Sequence, residues 1–557
     1  MRYLLLLLAG MTVFFGCKSE KKQDQMASKE IGSLEEPPFE WKAANIYFLL
    51  TDRFNNGNPE NDVNFDRTEE TGVLRDFKGG DIKGITEKIK DGYFTELGVN
   101  AIWFTPVVEQ IHGVVDEGTG NTYAYHGYWA KDWTTLDPNF GTREELAELV
   151  EEAHKRGIRV LLDVVINHTG PVTAKDPAWD EDWVRLDPTC TYQDYESTVS
   201  CTLVDNLPDI KTESDGPVDL PMPLLKKWQE EGRYDQEIEE LDRFFAVNGY
   251  PMAPRFYIIK WLTDYVRELG VDGFRVDTAK HTEAYVWQEL YREASIAFQE
   301  WKTNNPDKVL DDKGFYMVGE VYNYGISTGR MFSYGDKEVD FYDHGFESLI
   351  NFDFKHDATR GYDTLFTKYD SLLQKELYDK SVLNYLSSHD DGSPFDRKRK
   401  KTYETATKLL LSPGASQIYY GDELARPLQV EGAVGDANLR SFMNWEDLEK
   451  EETRALLEHW QKLGQFRKNH PAIGAGKHTT LKKQPFVFSR TYETDTYADA
   501  VIVVLMAKKA VKTIDVSSVF SDGTLVKDAY SGITAEVTDG EVRMETPFEI
   551  LLLEKSL

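Results

Sequence analysis

Apolar positions along the chain alternate between two kinds of spacing, which predicts strands and helices in turn. Val160–Ile166 is a nearly unbroken apolar run, typical of a strand buried on both faces. Ile82–Leu97 has apolar residues every three or four positions, which predicts a helix. The other predicted strands are Asn45–Thr51, Ala101–Thr105, Gly273–Val276, Phe315–Val318, Val382–Leu386 and Ser416–Tyr420, and the other predicted helices are Glu144–Arg156, Phe256–Leu269 and one after Thr282. Repeated β-then-α units predict a parallel sheet of the α/β class, closed at this length into a (β/α)8 TIM barrel.

Two regions depart from this alternation. Residues 169–250 are rich in Asp and Pro, and they predict an irregular excursion domain after the third strand. From residue 475 to residue 557 the chain changes to short alternating runs, which predict a C-terminal antiparallel β-sandwich. The barrel is therefore expected in two parts, residues 41–168 and 251–474.

The first residues are predicted to be a targeting segment rather than part of the fold. Tyr3–Phe15 is an apolar run that is too short to span a membrane, and it ends at Gly16 and Cys17. A cysteine after a small residue resembles a bacterial lipoprotein processing site, with residues 1–17 as the signal peptide and Cys17 as the lipidated residue. An ordinary signal peptide with a chance cysteine is the alternative. Residues 18–40 are polar and predict a disordered tether, so we expect an exported lipoprotein, membrane-anchored in the periplasm or at the cell surface.

The net charge of −32, from 96 acidic and 64 basic residues, argues against a nucleic-acid partner, which needs a basic surface. A neutral polymer carries no such penalty, although the charge could serve solubility alone. In an oxidising compartment, Cys190 and Cys201 could form a local disulfide, and two free thiols are the alternative.

Polar residues follow four predicted strands at the point where each strand ends. They are Asn167 and His168 after the third strand, Asp277, Lys280 and His281 after the fourth, Glu320 after the fifth, and Ser388, His389 and Asp390 after the seventh. Catalytic residues of a (β/α)8 barrel lie at these strand ends, whereas core packing does not require polar groups there. A single one could be a helix N-cap, but four together predict one site.

Three carboxyl groups, those of Asp277, Glu320 and Asp390, are expected to converge at the mouth of the barrel. Like charges close together cannot all ionise easily, so one group should hold a proton near neutral pH. Arg275 lies two residues before Asp277, on the same face of the strand, and should keep Asp277 ionised. Glu320 is therefore the expected proton holder. An ionised carboxylate beside a protonated carboxyl group is the pair that retaining glycoside hydrolysis needs.

These segments resemble the signature regions of the α-amylase family of glycoside hydrolases. The matching stretches are DVVINH, GFRVDTAKH, the GE at the end of the fifth strand, SSHD, and LPDIKTE between the third and fourth strands. The resemblance extends over roughly residues 44–557 and implies retaining cleavage of α-1,4-glucans such as starch and maltodextrins. It implies Asp277 as nucleophile, Glu320 as general acid and then base, and Asp390 as a ligand of sugar hydroxyls.

The same resemblance implies which residues bind the substrate and which hold calcium. The substrate-binding residues would be Tyr125, His126, His168, Arg275, Lys280 and His389. Thr51–Asp62 and the segment near Gly79 resemble a calcium loop of cyclodextrin-forming members, with Asn56, Asn58, Asn61, Asp62, the Gly79 carbonyl and Asp81 as ligands. An Asx-rich turn without metal is the alternative. A second calcium would use Asn167, Asp209 and the backbone of His281.

Two departures from the family pattern narrow the expected activity. Ser388 stands where chloride-activated members have Asn, which makes chloride activation doubtful. Asp205 stands where cyclising members have an aromatic residue, which favours hydrolysis. The stretch His459–Leu481 resembles periplasmic members that act on maltodextrins. The alternatives are a transglycosylase or α-1,6-acting member, or a glucan-binding lipoprotein without catalytic activity.

Overall fold

The computed structural model describes residues 37–556, so Cys17, the predicted signal peptide and most of the predicted tether lie outside the described residues. The central feature is a closed barrel of eight parallel strands, each paired with its neighbours in the chain. The strands are β1 (Asn45–Leu49), β2 (Ala101–Phe104), β3 (Arg159–Val164), β4 (Gly273–Val276), β5 (Tyr316–Gly319), β6 (Ser348–Asn351), β7 (Ser381–Asn384) and β8 (Ala415–Tyr419). The predicted (β/α)8 barrel is confirmed, and it includes a sixth strand that the apolar pattern did not reveal.

Helices connect the barrel strands in turn. The longer ones are Ile82–Lys90, Arg143–His154, Pro254–Leu269, Ala284–Asn304, Tyr362–Leu373, Thr402–Leu410 and Glu451–Asn469, and short ones occur at Thr51–Phe54, Tyr93–Glu96, Phe354–Asp357 and Ala472–Ala475. The helix predicted over Ile82–Leu97 is interrupted, because Gly92 takes a left-handed backbone conformation with φ 91°. Asp81 caps the first of the two pieces by accepting a hydrogen bond from the Gly84 N–H at 2.6 Å.

The excursion after β3 contains two helices that the sequence pattern did not predict, Met222–Glu230 and Tyr234–Asn248, besides the short helix Glu196–Val199. Each buries only a few apolar residues among charged and polar ones, which hides the helical spacing. Trp228 packs edge-on against Trp261 of the barrel helix, and Phe245 packs against Tyr257. The excursion therefore rests on the barrel through aromatic contacts.

The C-terminal region forms an antiparallel β-structure with a core of its own, as predicted. Its strands are Lys477–Lys482, Phe486–Glu493, Ala498–Leu505, Val511–Asp515, Leu525–Asp528, Thr534–Glu536, Glu541–Glu545 and Leu551–Lys555. Six of them form one sheet, and Val511–Asp515 pairs with Glu541–Glu545 in a second. Buried residues such as Val504, Val526 and Met544 fill the space between the sheets. Within residues 37–556, no helix combines the length and the apolar character that crossing a membrane requires.

Candidate active site

Arg275 lies at the centre of the barrel mouth and joins three carboxyl groups. Its Nη1 is 2.9 Å from Asp163 Oδ1 and 2.7 Å from Asp277 Oδ1, and its Nη2 is 2.9 Å from Glu320 Oε2. The side chain is only 1% exposed, so these pairs form in a low-dielectric environment where they are strong. The pairing of β4 with β3 and β5 produces this arrangement, because Arg275 is in register with Asp163 and Val318.

Asp163 belongs to this network, although the sequence analysis did not select it. Its Oδ2 accepts hydrogen bonds from Trp103 Nε1 at 2.9 Å and from Tyr128 OH at 2.8 Å. A carboxylate inside the apolar run Val160–Ile166 was the signal available in the sequence. Asp163 pairs with Arg275, and Arg275 in turn contacts both Asp277 and Glu320.

The carboxyl groups at the mouth differ in their affinity for protons. Burial raises the pKa of Glu320 to about 8, with Arg275 opposing this and the charges of Asp277 and Asp390 adding to it. Burial raises the pKa of Asp277 to about 6, with Arg275 again opposing and Asp163 adding. Near pH 7 this order leaves Asp277 ionised and Glu320 protonated. Glu320 Oε2 also accepts a hydrogen bond from the Thr278 N–H at 3.1 Å, so Oε1 is the oxygen left to carry the proton.

Asp390 and His389 lie across the mouth at the end of β7. The Asp390 side chain is 36% exposed, so it faces the open cleft, whereas His389 is buried. The His389 ring is nearly parallel to that of Tyr128, with centroids 5.3 Å apart, and its carbonyl accepts a hydrogen bond from Arg440 Nε at 2.9 Å. Tyr128 and Arg440 were not selected from the sequence, and neither follows an apolar run that would have drawn attention to it.

His126, His168 and Tyr125 gather on the flank formed by the loops after β1, β2 and β3. The Nδ1 of His126 accepts a hydrogen bond from the Tyr128 N–H, and His168 Nε2 lies 3.1 Å from the Tyr128 carbonyl. The Arg53 guanidinium lies over the Tyr125 ring, 3.9 Å from its centroid. Burial lowers the pKa of His168 to about 4, so this ring is neutral near pH 7.

Lys280 lies apart from that group, on the flank formed by the loops after β4 and β5. Its Nζ is 5.1 Å from the centroid of the Tyr322 ring and 5.6 Å from that of Tyr192. The predicted site residues thus line two sides of one cleft, with the pair of Asp277 and Glu320 between them.

The Asn-rich loop near residue 56 suits a calcium ion. Asn56 Oδ1 and Asn61 Oδ1 are buried and have no hydrogen-bond partner among the described residues. Asn56 Nδ2 donates to Asp62 Oδ1 at 2.9 Å, and a Cβ on Gly79 would lie 2.5 Å from each of these two atoms. Gly79, with φ 86°, therefore lets its backbone approach the side chains closely. Orphaned amide oxygens beside a carboxylate are the hard oxygen donors that calcium prefers.

The Asp81 side chain is engaged with the backbone of this loop. The Asp81 carboxylate accepts hydrogen bonds from the backbone N–H groups of Gly57, Asn58 and Gly84. It thereby ties the loop to the start of the helix Ile82–Lys90. Within residues 37–556, no group of three or more His, Cys, Asp or Glu side chains is arranged to hold a metal ion.

The second predicted calcium site has an arginine beside its carboxylate. Asp209 is the one carboxylate of the predicted set, and its Oδ2 lies 2.7 Å from Arg185 Nε. Residues 185 and 209 are partners in a short antiparallel pairing, which brings the guanidinium beside the carboxylate. Arg185 supplies positive charge there, but Asp209 Oδ2 is buried without a hydrogen-bond partner among the described residues, so calcium at Asn167, Asp209 and His281 stays a prediction. Asn167 Nδ2 lies 3.3 Å from His168 Nδ1, and Asn167 Oδ1 accepts a hydrogen bond from the Thr282 hydroxyl at 3.4 Å.

Cys190 and Cys201 are joined by a disulfide, which closes a loop of the excursion. The loop contacts the barrel where His281 Nδ1 lies 2.9 Å from the Thr198 carbonyl.

A (β/α)8 barrel with an ionised and a protonated carboxyl group around one arginine is suited to acid–base cleavage of glycosidic bonds. A family model described as the catalytic domain of alpha amylase matches residues 48–447. The chain belongs to the α-amylase family of glycoside hydrolases, whose members generally bind calcium.

Known relatives and structures agree with this membership. The periplasmic α-amylase of Escherichia coli (strain K12) is 40% identical over 516 residues, which cover 82% of this chain and 72% of that protein. The cyclomaltodextrin glucanotransferase of Thermoanaerobacterium thermosulfurigenes is 27% identical, over 80% of this chain and 58% of its own length. The crystal structure of an α-amylase from Anoxybacillus, 23% identical, has a TM-score of 0.64 and covers 93% of this chain and 100% of its own, which shows the shared fold.

Proposed function

We propose that this protein hydrolyses α-1,4-glucosidic bonds in starch and maltodextrins, with retention of the anomeric configuration. The observation that carries the proposal is the position of the Asp277 and Glu320 carboxyl groups, 2.7 Å and 2.9 Å from the same Arg275 guanidinium. Burial raises the pKa of Glu320 to about 8 and that of Asp277 to about 6, which favours a proton on Glu320. Retaining glycosidases use such a pair, one carboxyl as nucleophile and the other as proton donor.

In the first step the Asp277 carboxylate attacks the anomeric carbon and forms a β-glycosyl ester. The bond to the leaving oxygen breaks, and Glu320 gives its proton to that oxygen. In the second step the ionised Glu320 takes a proton from water, which attacks the anomeric carbon and releases Asp277. The product has the α configuration because the carbon is inverted twice.

The other residues of the cleft would hold the sugar on either side of the bond that breaks. Asp390 is placed to accept hydrogen bonds from hydroxyl groups, and His126, His168 and His389 to exchange hydrogen bonds with them as neutral rings. Burial supports the neutral state, since it lowers the pKa of all three. Tyr125 is fully buried, with the Arg53 guanidinium over its ring and the His126 ring beside it, so it would support His126 rather than stack on a sugar ring itself.

Calcium is proposed at the loop formed by Asn56, Asn58, Asn61, Asp62 and Gly79, with Asp81 holding the loop in shape. The ion would add the positive charge that this group of oxygens lacks. It would stabilise the connection between β1 and the helix Ile82–Lys90, and it takes no part in the bond cleavage.

Export with a lipid on Cys17 is proposed from the sequence and from the periplasmic description of the Escherichia coli relative. Cells that express the protein should incorporate labelled palmitate into it, and the Cys17→Ser variant should not. Labelling that persists in the variant would remove the assignment of Cys17.

The proposed activity is tested by incubating the purified protein with maltoheptaose and with soluble starch. Chromatography should show short maltooligosaccharides, and proton NMR at early times should show the α-anomer. Products of the β configuration, or no cleavage of either substrate, would contradict the proposal. Cyclic or longer products would instead indicate the transglycosylation named for the glucanotransferase relative.

A further inference from the structure

Two acids follow each other in the loop after β7, and they have different surroundings. The Asp390 side chain faces the cleft, and its Oδ1 lies 3.8 Å from His389 Nδ1, which is too long for a hydrogen bond. Asp391 is only 8% exposed. Its Oδ1 accepts a hydrogen bond from the Ser393 N–H at 2.9 Å, and its Oδ2 accepts one from Tyr385 OH at 2.6 Å. The anchored acid is therefore Asp391, and the backbone that it fixes also carries Asp390.

The charge of Asp391 is paired by Lys355, which comes from another part of the barrel. Lys355 lies on the short helix Phe354–Asp357 after β6, and its ammonium forms an ion pair with Asp391 Oδ2. Both side chains are at most 10% exposed, and the Lys355 Nζ is also 5.8 Å from the centroid of the Tyr385 ring. This pair joins the loop after β6 to the loop after β7, and its two residues are 36 positions apart in the chain.

The helix that carries Lys355 is itself held in place by buried contacts. Phe354 is fully buried and packs edge-on against the Tyr369 ring, with centroids 5.2 Å apart. Asp357 accepts hydrogen bonds from Tyr369 OH at 3.2 Å and from Lys368 Nζ at 2.6 Å. Because a side chain on a fixed support restricts the groups that it pairs with, Lys355 can fix the loop after β7.

An unpaired charge on Asp391 would be unfavourable at this place. Burial alone would raise the pKa of Asp391, but its contacts with Lys355 and a tyrosine hydroxyl outweigh burial, so the pKa is lower than usual and the group is ionised. Burial raises the pKa of Asp390, two arginines oppose this, and the charge of Asp391 adds to it. Removing one partner of a buried ion pair leaves a charge without compensation, which is strongly destabilising. Loss of Lys355 should therefore shift the loop, and Asp390 with it.

We propose that Lys355 is a positioning residue, which pairs with Asp391 and so holds the loop after β7 with the Asp390 carboxylate directed at sugar hydroxyls in the cleft. The inference rests on the proposed function, in which Asp390 accepts hydrogen bonds from the substrate. Lys355 acts through the two acids rather than on the substrate. Hydrogen bonds to sugar hydroxyls that strengthen in the transition state lower the barrier more than they improve ground-state binding, so kcat rather than KM should respond.

The test measures kcat and KM of Lys355→Met on maltoheptaose. The new side chain is unbranched but uncharged, so we expect kcat to fall about tenfold and KM to stay within about twofold, because a misplaced group loses contacts in the transition state. Lys355→Arg keeps the charge and should retain most of kcat. The matched control is Lys368→Met, which breaks the other ion pair of the helix Phe354–Asp357 and should change neither constant.

Two double variants test whether the effect passes through the two acids. Asp391→Asn alone leaves Lys355 unpaired and should lower kcat, whereas Asp391→Asn together with Lys355→Met leaves no unpaired charge and should return kcat to within about twofold of the unaltered protein. The second double variant adds Lys355→Met to Asp390→Asn, with α-maltotriosyl fluoride as the substrate because its good leaving group keeps slow variants measurable. Since Asp390 is already disabled there, Lys355→Met should not lower kcat further.

An unchanged kcat in Lys355→Met would overturn the inference, and so would a loss that persists when Asp391→Asn is added or that multiplies with the loss in Asp390→Asn. If Lys355→Met does not fold, the comparison of Asp391→Asn with the double variant at positions 355 and 391 applies the same criterion. Failure of the proposed function has a different signature, because the unaltered protein would then cleave neither maltoheptaose nor the fluoride.

Discussion

The barrel mouth and the Asn-rich loop near residue 56 both concentrate oxygen atoms, but only the mouth contains its own cation. At the mouth, Arg275 pairs with three carboxyl groups and is almost fully buried. At the loop, the contacts of Asp62 and Asp81 within residues 37–556 are to amide groups rather than to Lys or Arg. A cluster with an internal cation can fix which carboxyl holds a proton, whereas a cluster without one is suited to take up a cation from solution.

The largest effect is expected from removing the proton donor at the mouth. Glu320→Gln keeps the size of the side chain but cannot supply a proton, so kcat on starch should fall about 10³-fold while starch binding remains. The measurement is turnover together with equilibrium binding. The matched control is Glu347→Gln, an acid that precedes β6 at the other end of the barrel and pairs with Lys380. Turnover that is unchanged in Glu320→Gln would contradict the assignment of the acid.

The next effect comes from the cation itself. Arg275→Lys keeps the charge but loses the planar fork that reaches three carboxyl groups, so kcat/KM should fall about a hundredfold. Without the guanidinium opposing burial, the pKa of Asp277 should rise, and the acidic limb of the pH profile should move to higher pH. Arg267→Lys, at a half-exposed arginine paired with Glu300, is the control and should change neither quantity. An unaltered pH profile in Arg275→Lys would show that the Arg275 guanidinium does not set the pKa of Asp277.

The pH dependence of kcat/KM should report the two protonation states. The nucleophile must be ionised, so activity should fall about tenfold per pH unit below the pKa of Asp277, about 6. The acid must be protonated, so activity should fall in the same way above the pKa of Glu320, about 8. The two limbs belong to the interacting pair as a whole. The alkaline limb should vanish from the residual activity of Glu320→Gln, and a limb that persists there would belong to another group.

The carboxyl groups at the barrel mouth could be predicted from the sequence more fully than the residues that surround them. Asp277 and Glu320 follow their apolar strands directly and Asp390 comes shortly after β7, so local pattern and barrel topology together predict them at one end. Asp163 was missed because it lies inside an apolar run, and its partnership with Arg275 depends on strand register that the sequence does not display. Arg440 reaches His389 from a loop 51 residues further along the chain, and local spacing carries no sign of such a contact.

The elements that escaped prediction share a physical reason. Strand β6, Ser348–Asn351, has only two apolar residues, Leu349 and Ile350, between polar ones, so no apolar run marks it. The helices Met222–Glu230 and Tyr234–Asn248 bury only a few residues each, among them Trp228 and Phe244, so their apolar stripe is narrow. For the strand and for the two helices alike, contacts with the rest of the barrel, rather than local sequence preference, determine the structure.

The smallest effect is expected at the loop, where stability rather than chemistry should respond. A chelator should lower the melting temperature by several degrees, because an ion bound a thousandfold above its Kd stabilises the folded state by about 4 kcal/mol. Asp62→Ala should melt at this lower temperature with or without calcium, and Glu60→Gln, an acid of the same loop outside the predicted ligand set, should keep the response. If the loop holds the ion, calorimetric titration should show the calcium bound there disappear in Asp62→Ala and persist in Asp209→Asn, because Arg185 already neutralises Asp209. The opposite result, calcium lost in Asp209→Asn and kept in Asp62→Ala, would move the bound calcium from the Asn-rich loop to the site predicted at Asn167, Asp209 and His281.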